Sequence, residues 1–329
     1  MAWMLFNGCL RRWDCFRSGA RYELLLSPGI NCLHPDVVIV HVVFHQLRQL
    51  ARERTNELGG DGGFLTRLHR RVYYRLLSAL ERKIYKSHRV VLIAVSQRTS
   101  QQLKIHFGRG DVAVAPNGVD ANEFSPEARL ARRAEVRAHW HFGEEDFVLL
   151  LIGNDWRVKG LPVILEAMAK LRDLPLRLLV AGSDDTRHFQ TLAHQERVDD
   201  RCRWAAPIVS ALDFYAAADI YVSPSLEDSF GLPAAEAMAC GLPVITSRRA
   251  GIADYIQSGV DGFVLEEPSD SAALAATLKR LQSDAELRHR TGCAATLAAR
   301  RLTWDRHTQV IENILEEVRE PKTGGRASQ

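Results

Sequence analysis

The chain is 329 residues long, more than one ordinary domain, and its 46% hydrophobic and 25% charged residues are those of a folded protein able to bury sizeable cores. Twelve Pro and 22 Gly without a repeat exclude a collagen-like, low-complexity or disordered chain, and no apolar run reaches the roughly 18 residues that a membrane-spanning helix needs. The formal net charge of +3 hides an asymmetry, because residues 1–125 carry 18 Lys and Arg against 10 Asp and Glu while the remainder carries 25 against 30.

Short β-branched runs alternate with amphipathic stretches along the whole chain, the pattern of α/β units built on parallel strands. In the first half, strands are expected at 22–26, 37–40, 90–95 and 112–115. The run DVVIVHVVFH delivers His41 at the end of the second of these and His45 shortly after. Open parallel sheets bind ligands at strand carboxyl ends, so His41 is the functional candidate of the two and His45 a packing or supporting residue. A helix follows over 64–86, with Phe64, Leu68, Val72, Leu76, Leu80 and Ile84 recurring every four residues and seven Arg and Lys on other faces. The apolar stripe is expected to pack inward, leaving the charges free to meet solvent or lipid headgroups. The basic first half as a whole fits an anionic partner, a phospholipid surface or a phosphorylated acceptor, and equally a solvated spread of arginines.

The turn-forming PNGVD at Pro116 opens a charged helical connection, and a domain boundary is placed at 125/126. Beyond it, strands are expected at 147–152, 176–181, 220–222, 243–246 and 263–265. After the first of these comes GNDWRVKG, residues 153–160, where Arg157 and Lys159 stand at a strand end. Two cations there can neutralise the charge that accumulates on a departing diphosphate. The stretch SPSLEDSFGLPAAEAMACGLPVITS, residues 223–247, presents Asp228 and Glu236 eight positions apart around Gly231. A helix starting near Leu232 would aim its positive dipole end at the same place, favouring an anion that also carries hydroxyls. Thr303 caps a final helix reaching about residue 320, and 321–329 reads as a disordered tail. The six cysteines form no C-x-x-C pair or metal-spaced cluster, so no zinc site or disulfide framework is indicated, and a cytoplasmic location is expected.

Taken together, PNGVD, GNDWRVKG, the AVS at 94–96, the EDSFGLPAAE stretch and the closing TWDRH resemble, in the same order, the retaining glycosyltransferases of family 4, over roughly residues 22–316. The resemblance implies a GT-B architecture: an α/β fold of two Rossmann-like doubly wound domains facing across a cleft. The acceptor-side domain would span 1–125, the donor domain 126–302, and a helix over 303–320 would cross back to the first. The family's opening strands, with their Gly-rich loop, have no counterpart here, so the first domain is expected to be N-terminally incomplete.

Carried over residue by residue, the resemblance implies that Glu236 binds the ribose hydroxyls of a nucleotide and Asp228 the hydroxyls of the donor sugar. Arg157 and Lys159 would hold the diphosphate, with Gly153, Asn154, Ser229, Phe230, Gly231 and Leu232 around sugar and phosphate. Ile208 would line the base pocket, and His41 would contact the donor sugar. Asp228 stands where the family usually has Glu, with Glu227 beside it as a possible substitute. Asn154 stands where many members have Arg, which places more of the phosphate charge on Arg157, a feature similar to the lipopolysaccharide core glucosyltransferases.

The expected activity is therefore a metal-independent, retaining transfer from a UDP- or GDP-linked sugar, without a cofactor, to a hydroxyl of a lipid-linked or polysaccharide acceptor. The enzyme is expected in the cytoplasm, where its basic first half could make peripheral contact with the inner face of the membrane, and no nucleic-acid partner is expected. Two rivals remain on the same residues: a non-catalytic nucleotide-sugar-binding module and a sugar-nucleotide epimerase.

Overall fold

The computed structural model describes residues 23–32, 34–53, 64–206 and 210–319. Their contacts divide into two units, one formed by the chain up to Pro116 together with the segment from Asp305, the other by Asn117–Trp304. The division lies upstream of the 125/126 boundary expected from the sequence, because the PNGVD turn from Asn117 onward already belongs to the second unit: Val119 donates its N–H to the Leu302 carbonyl at 2.9 Å.

The first unit is a four-stranded parallel sheet in the order β1 (Leu26–Pro28), β2 (Val37–Val40), β3 (Val91–Ala94), β4 (Ala113–Val114). Helices α1 (Phe44–Glu53), α2 (Phe64–Tyr85) and α3 (Gln97–Phe107) connect the strands. One face of the sheet packs Val38, Val40, Leu92 and Ala94 with Ile84, Tyr85, Leu103 and Phe107. The other packs Val37 and Ile93 with Ile311 of the last helix. The first strand begins later than expected: Leu24 and Leu25 are not strand, and the Leu25 N–H is taken by the Asp36 carboxylate at 2.8 Å.

Helix α2 corrects the expected stripe. Val72 and Leu76 are exposed, at 48% and 46%, whereas Ile84 is buried. A four-residue repeat advances about 40° per step around a 3.6-residue helix, so a stripe of spacing four winds off the contact face. Leu77, Leu80 and Ile84, at spacings of three and four, make the packing instead.

The second unit is a six-stranded parallel sheet in the order β10-β9-β8-β5-β6-β7. Its strands are β5 (Phe147–Ile152), β6 (Leu176–Ala181), β7 (Cys202–Ala205), β8 (Ile220–Ser223), β9 (Val244–Ser247) and β10 (Phe263–Leu265). Its helices are α4 (Pro126–His139), α5 (Leu161–Ala169), α6 (Thr186–Gln195), α7 (Ala211–Ala217), α8 (Leu232–Ala239), α9 (Ser271–Ser283) and α10 (Ala285–Ala299). β5 and β8 are almost wholly buried on both faces, as central parallel strands are. The strand order reverses between them, since β5 leads outward through β6 and β7 and β8 leads the opposite way through β9 and β10. The carboxyl ends of β5 and β8 thus form a topological switch point, the place where open α/β sheets take ligands. The last helix, α11 (Trp304–Arg319), packs Val310, Ile311, Ile314, Leu315 and Val318 on the first unit's sheet. The expected tail at 321–329 lies outside the described residues.

Candidate functional site

Both loops leaving the switch point end in the same device. The 153–160 loop and the 224–231 loop each run into Gly-Leu-Pro, with Gly160 at φ 86° and Gly231 at φ 93°, and the following helix carries its proline in the first turn. Such left-handed backbone suits glycine, and proline suits the first helical turn, where its missing N–H costs nothing. The two loops are tied to each other: Leu226 donates to the Val158 carbonyl at 2.7 Å, and a Cβ on Gly160 would stand 2.3 Å from the Pro224 carbonyl oxygen. Only glycine permits that approach, which fixes the two loop tips side by side.

At this junction Lys159 Nζ lies 2.5 Å from Asp228 Oδ2, with both side chains largely but not wholly withdrawn from solvent. The lysine stem passes over Gly153, whose Cβ would come within 3.2 Å of Lys159 Cε. Asp228 is itself held by its backbone, donating to Arg249 O and accepting at its carbonyl from Gly251 N. Glu227 is buried beside it, so Asp228, and not Glu227, carries the pairing with the lysine. Arg157 reaches the other way, its guanidinium 2.6 Å from His188 Nε2 on α6. Asn154 accepts from the Ser183 N–H and hydroxyl at 3.0 and 2.8 Å, which ties the loop after β5 to the loop after β6. Trp156, fully buried between Trp204 and Phe189, forms the floor beneath.

Four residues further along from Leu232, Glu236 is partly exposed on α8 and accepts a hydrogen bond from the Tyr215 hydroxyl at 2.6 Å. Burial pushes the Glu236 carboxyl up from its ordinary value, the Tyr215 hydrogen bond opposes this, and the nearby Glu123 adds to the rise. Phe230 is buried, while Asp228, Ser229 and Leu232 are half-buried around Gly231. The second unit thus gathers Gly153, Asn154, Arg157, Lys159, Asp228, Ser229, Phe230, Gly231, Leu232 and Glu236 on two neighbouring loops and the opening turns of α8. Ile208 lies outside the described residues.

His41 belongs to the first unit, in the exposed bend after β2. Partial loss of hydration and the neighbouring His307 imidazole lower its basicity. His307, from the closing TWDRH segment, lies with its Nδ1 2.9 Å from the Pro116 carbonyl, an acceptor only, so Nδ1 carries the proton. His45 is a supporting residue: its Nδ1 contacts the buried Glu81 carboxylate at 2.8 Å and its ring packs edge-on to Phe107. Glu81 also accepts the N–H groups of Phe44 and His45 at 2.6 and 2.9 Å, capping α1 from a distant helix. Burial raises the Glu81 carboxyl to about 7.

The residues that sequence reasoning missed are His188, Tyr215, Glu81 and His307. Each acts through a partner far along the chain, and no local pattern marks it. Among the described residues there is no group of three or more His, Cys, Asp or Glu placed to hold a metal ion. No described helix is long and apolar enough to cross a membrane.

Residues 132–297, half of the chain, match the family described as Glycosyl transferases group 1. A D-inositol 3-phosphate glycosyltransferase of Xylanimonas cellulosilytica is 32% identical over 225 residues, covering 65% of this chain and 54% of the relative. The chain spans about half the length of the curated relatives it matches. Among solved structures, WaaG, a glycosyltransferase involved in lipopolysaccharide biosynthesis, superposes with a TM-score of 0.74 at 24% identity, over 95% of this chain and 81% of its own. HepE of Anabaena, solved in complex with UDP-glucose, gives 0.67 at 19% identity over 85% and 72%. These likenesses show the fold, an α/β architecture with two parallel-sheet units of the GT-B glycosyltransferase type.

Proposed function

The chain belongs to the glycosyl transferases group 1 family, and on that premise we propose that it transfers a sugar, with retention of anomeric configuration, from a nucleotide diphosphate sugar to a hydroxyl of a lipid-linked or polysaccharide acceptor. The observation that carries this reading is the Lys159–Asp228 pair, fixed at the switch point by the Gly160–Pro224 approach and facing the glycine-opened start of α8. A cation and a carboxylate side by side there suit a donor whose diphosphate meets Lys159 and whose sugar hydroxyls meet Asp228. Glu236, one helical turn on, suits the ribose. The UDP-glucose bound by HepE is in keeping with this donor class.

In this mechanism the bond between the anomeric carbon and the phosphate oxygen breaks with its electron pair leaving on the diphosphate. The acceptor oxygen bonds to the same face of the anomeric carbon, and its proton passes to the departing phosphate oxygen. The protein then needs no nucleophilic side chain; its work is to stabilise the leaving group, through Lys159 and through Arg157 of the same loop. Neither a metal ion nor a cofactor enters this scheme.

A second acceptor class is favoured by the relatives, which are named for D-inositol 3-phosphate. A phosphorylated polyol would suit the basic first half of the chain as well as an anionic lipid surface does. Competition between inositol 3-phosphate and lipid-linked saccharides for one donor separates the two.

Release of nucleotide diphosphate from UDP- and GDP-sugars tests the donor assignment. Lys159→Ala and Glu236→Ala are each expected to lower turnover by about two to three orders of magnitude, the usual loss of one charge-stabilising group at a reacting centre. Near-normal turnover in both variants would overturn the assignment. The configuration of the new linkage, read by proton NMR, decides between retention and inversion.

A further inference from the structure

We propose that Tyr215 is a positioning residue for Glu236: its hydroxyl holds one carboxylate oxygen so that the other is offered to a ribose diol, which sets the site's preference for ribo- over deoxyribonucleotides. The proposal rests on Glu236 being the ribose-binding group. Tyr215 is fully buried on α7, with its ring edge-on to Phe124 at 5.7 Å between centroids. Its oxygen lies 2.6 Å from Glu236 Oε2 and 3.1 Å from the Pro233 carbonyl. One hydroxyl proton serves two acceptors, and the charged, nearer one takes the stronger share. Both acceptors belong to the opening turns of α8, so a single phenol fastens the helix start and the carboxylate together.

The surroundings give that hydrogen bond its weight. Glu236 is half-buried; Glu123 before α4 adds to the rise that burial gives its carboxyl, Tyr221 on β8 is a neutral neighbour, and Arg129 of α4 donates to the Cys240 carbonyl just beyond α8. Among the described residues that shape its titration, only Tyr215 favours the ionised form. The Tyr215 hydroxyl, which burial keeps from ionising, thus opposes the rise that burial gives the Glu236 carboxyl. A hydrogen bond fixed to Oε2 also stops the carboxylate from rotating, which leaves Oε1 in one place. A vicinal diol is recognised by a fixed acceptor, and a diol lacking one hydroxyl forfeits that contact.

Tyr215→Phe keeps the ring and removes only the hydroxyl, and unchanged near-UV circular dichroism would show the fold intact. Two measurements on the full chain test the proposal. In the first, the Glu236 carboxyl is titrated by carbon-13 NMR, with Glu236→Gln identifying its resonance. The midpoint is expected to move up in Tyr215→Phe, because the lost bond favoured the ionised form; an unchanged or lower midpoint overturns the proposal whether or not a nucleotide binds. In the second, UDP and GDP and their 2′-deoxy counterparts are titrated calorimetrically. Tyr215→Phe is expected to weaken the ribonucleotide by about tenfold or more, the worth of a hydrogen bond to a charged group. The deoxy form should change by less than about threefold, so the ribo-to-deoxy ratio collapses. Equal weakening of both forms overturns the specificity role. If the unaltered protein binds none of these nucleotides, the donor reading itself fails, while the NMR titration still decides the Tyr215–Glu236 pairing.

Discussion

Gly160 stands where the loops after β5 and β8 touch, and its lack of a side chain is what lets Lys159 and Asp228 meet. A Cβ there would face the Pro224 carbonyl oxygen at 2.3 Å on backbone already at φ 86°. Gly160→Ala is therefore expected to lose about 2 kcal/mol or more of stability, from left-handed strain together with the backbone clash. Urea unfolding measures this, with Gly110→Ala as a comparison, since Gly110 has open space and no left-handed φ. Equal midpoints for the two variants would contradict the packing argument. Asp228 was legible in the sequence as a ligand-facing carboxylate, but its pairing with Lys159 was not, because the two lie 69 residues apart and meet only through the sheet.

Between elements, α4 and α7 show how a polar seam can replace an apolar one. Arg129, Arg133 and Arg137, one turn apart on α4, donate to the carbonyls of Ala216, Ala217 and Ala218 that close α7. Arg133 and Arg137 also grip Asp219, whose carboxylate accepts the Val148 N–H at the start of β5. The last carbonyls of a helix lack partners within it, and guanidinium groups fit them well. Arg137 is nearly buried and also bonds the carbonyls of Gly143 and Asp146 at 2.6 and 2.8 Å. Its replacement by Ala is expected to cost about 3 kcal/mol, since four acceptors lose their donor in a largely dry place. A double-mutant cycle with Asp219→Ala measures the coupling; additive losses would show that the two side chains act independently. Because α7 carries Tyr215, loosening this seam is also expected to weaken nucleotide binding in Arg137→Ala.

The start of α1 rests on a similar long-range partner. Glu81→Ala removes the acceptor for the N–H groups of Phe44 and His45, and a loss of about 1–2 kcal/mol is expected for an uncapped helix start. Faster amide exchange confined to the first turn of α1 would accompany it; unchanged protection there would contradict the capping role. The cap of α1 could not be read from the sequence, since it comes from a glutamate 36 and 37 positions away. Likewise β7 went unread: four residues including Arg203, at the end of the sheet order, offer too short an alternation to register. The remaining strands of the second unit could be read because both their faces are buried and their runs are continuously apolar.

On the scale of the molecule, the parallel α/β character and the strand positions around the switch point were legible in the sequence, because they depend on local apolar runs; the donor-side residues were named through the family resemblance and their roles are proposals. What stayed hidden is the set of second partners those residues meet: Tyr215 at Glu236, His188 at Arg157, His307 near His41. These arise where chain segments distant in sequence are brought side by side, and residue type alone does not foretell them. The charge asymmetry between the first 125 residues and the rest suits an anionic acceptor, lipid-linked or phosphorylated. Calorimetric titration of the full chain and of Lys159→Ala with UDP and GDP tests the proposed donor site most directly. The account predicts that one of the two nucleotides binds the unaltered protein and loses at least about tenfold in affinity on Lys159→Ala, the worth of one charge-assisted contact to a phosphate; binding of neither, or equal affinity in both proteins, would contradict it.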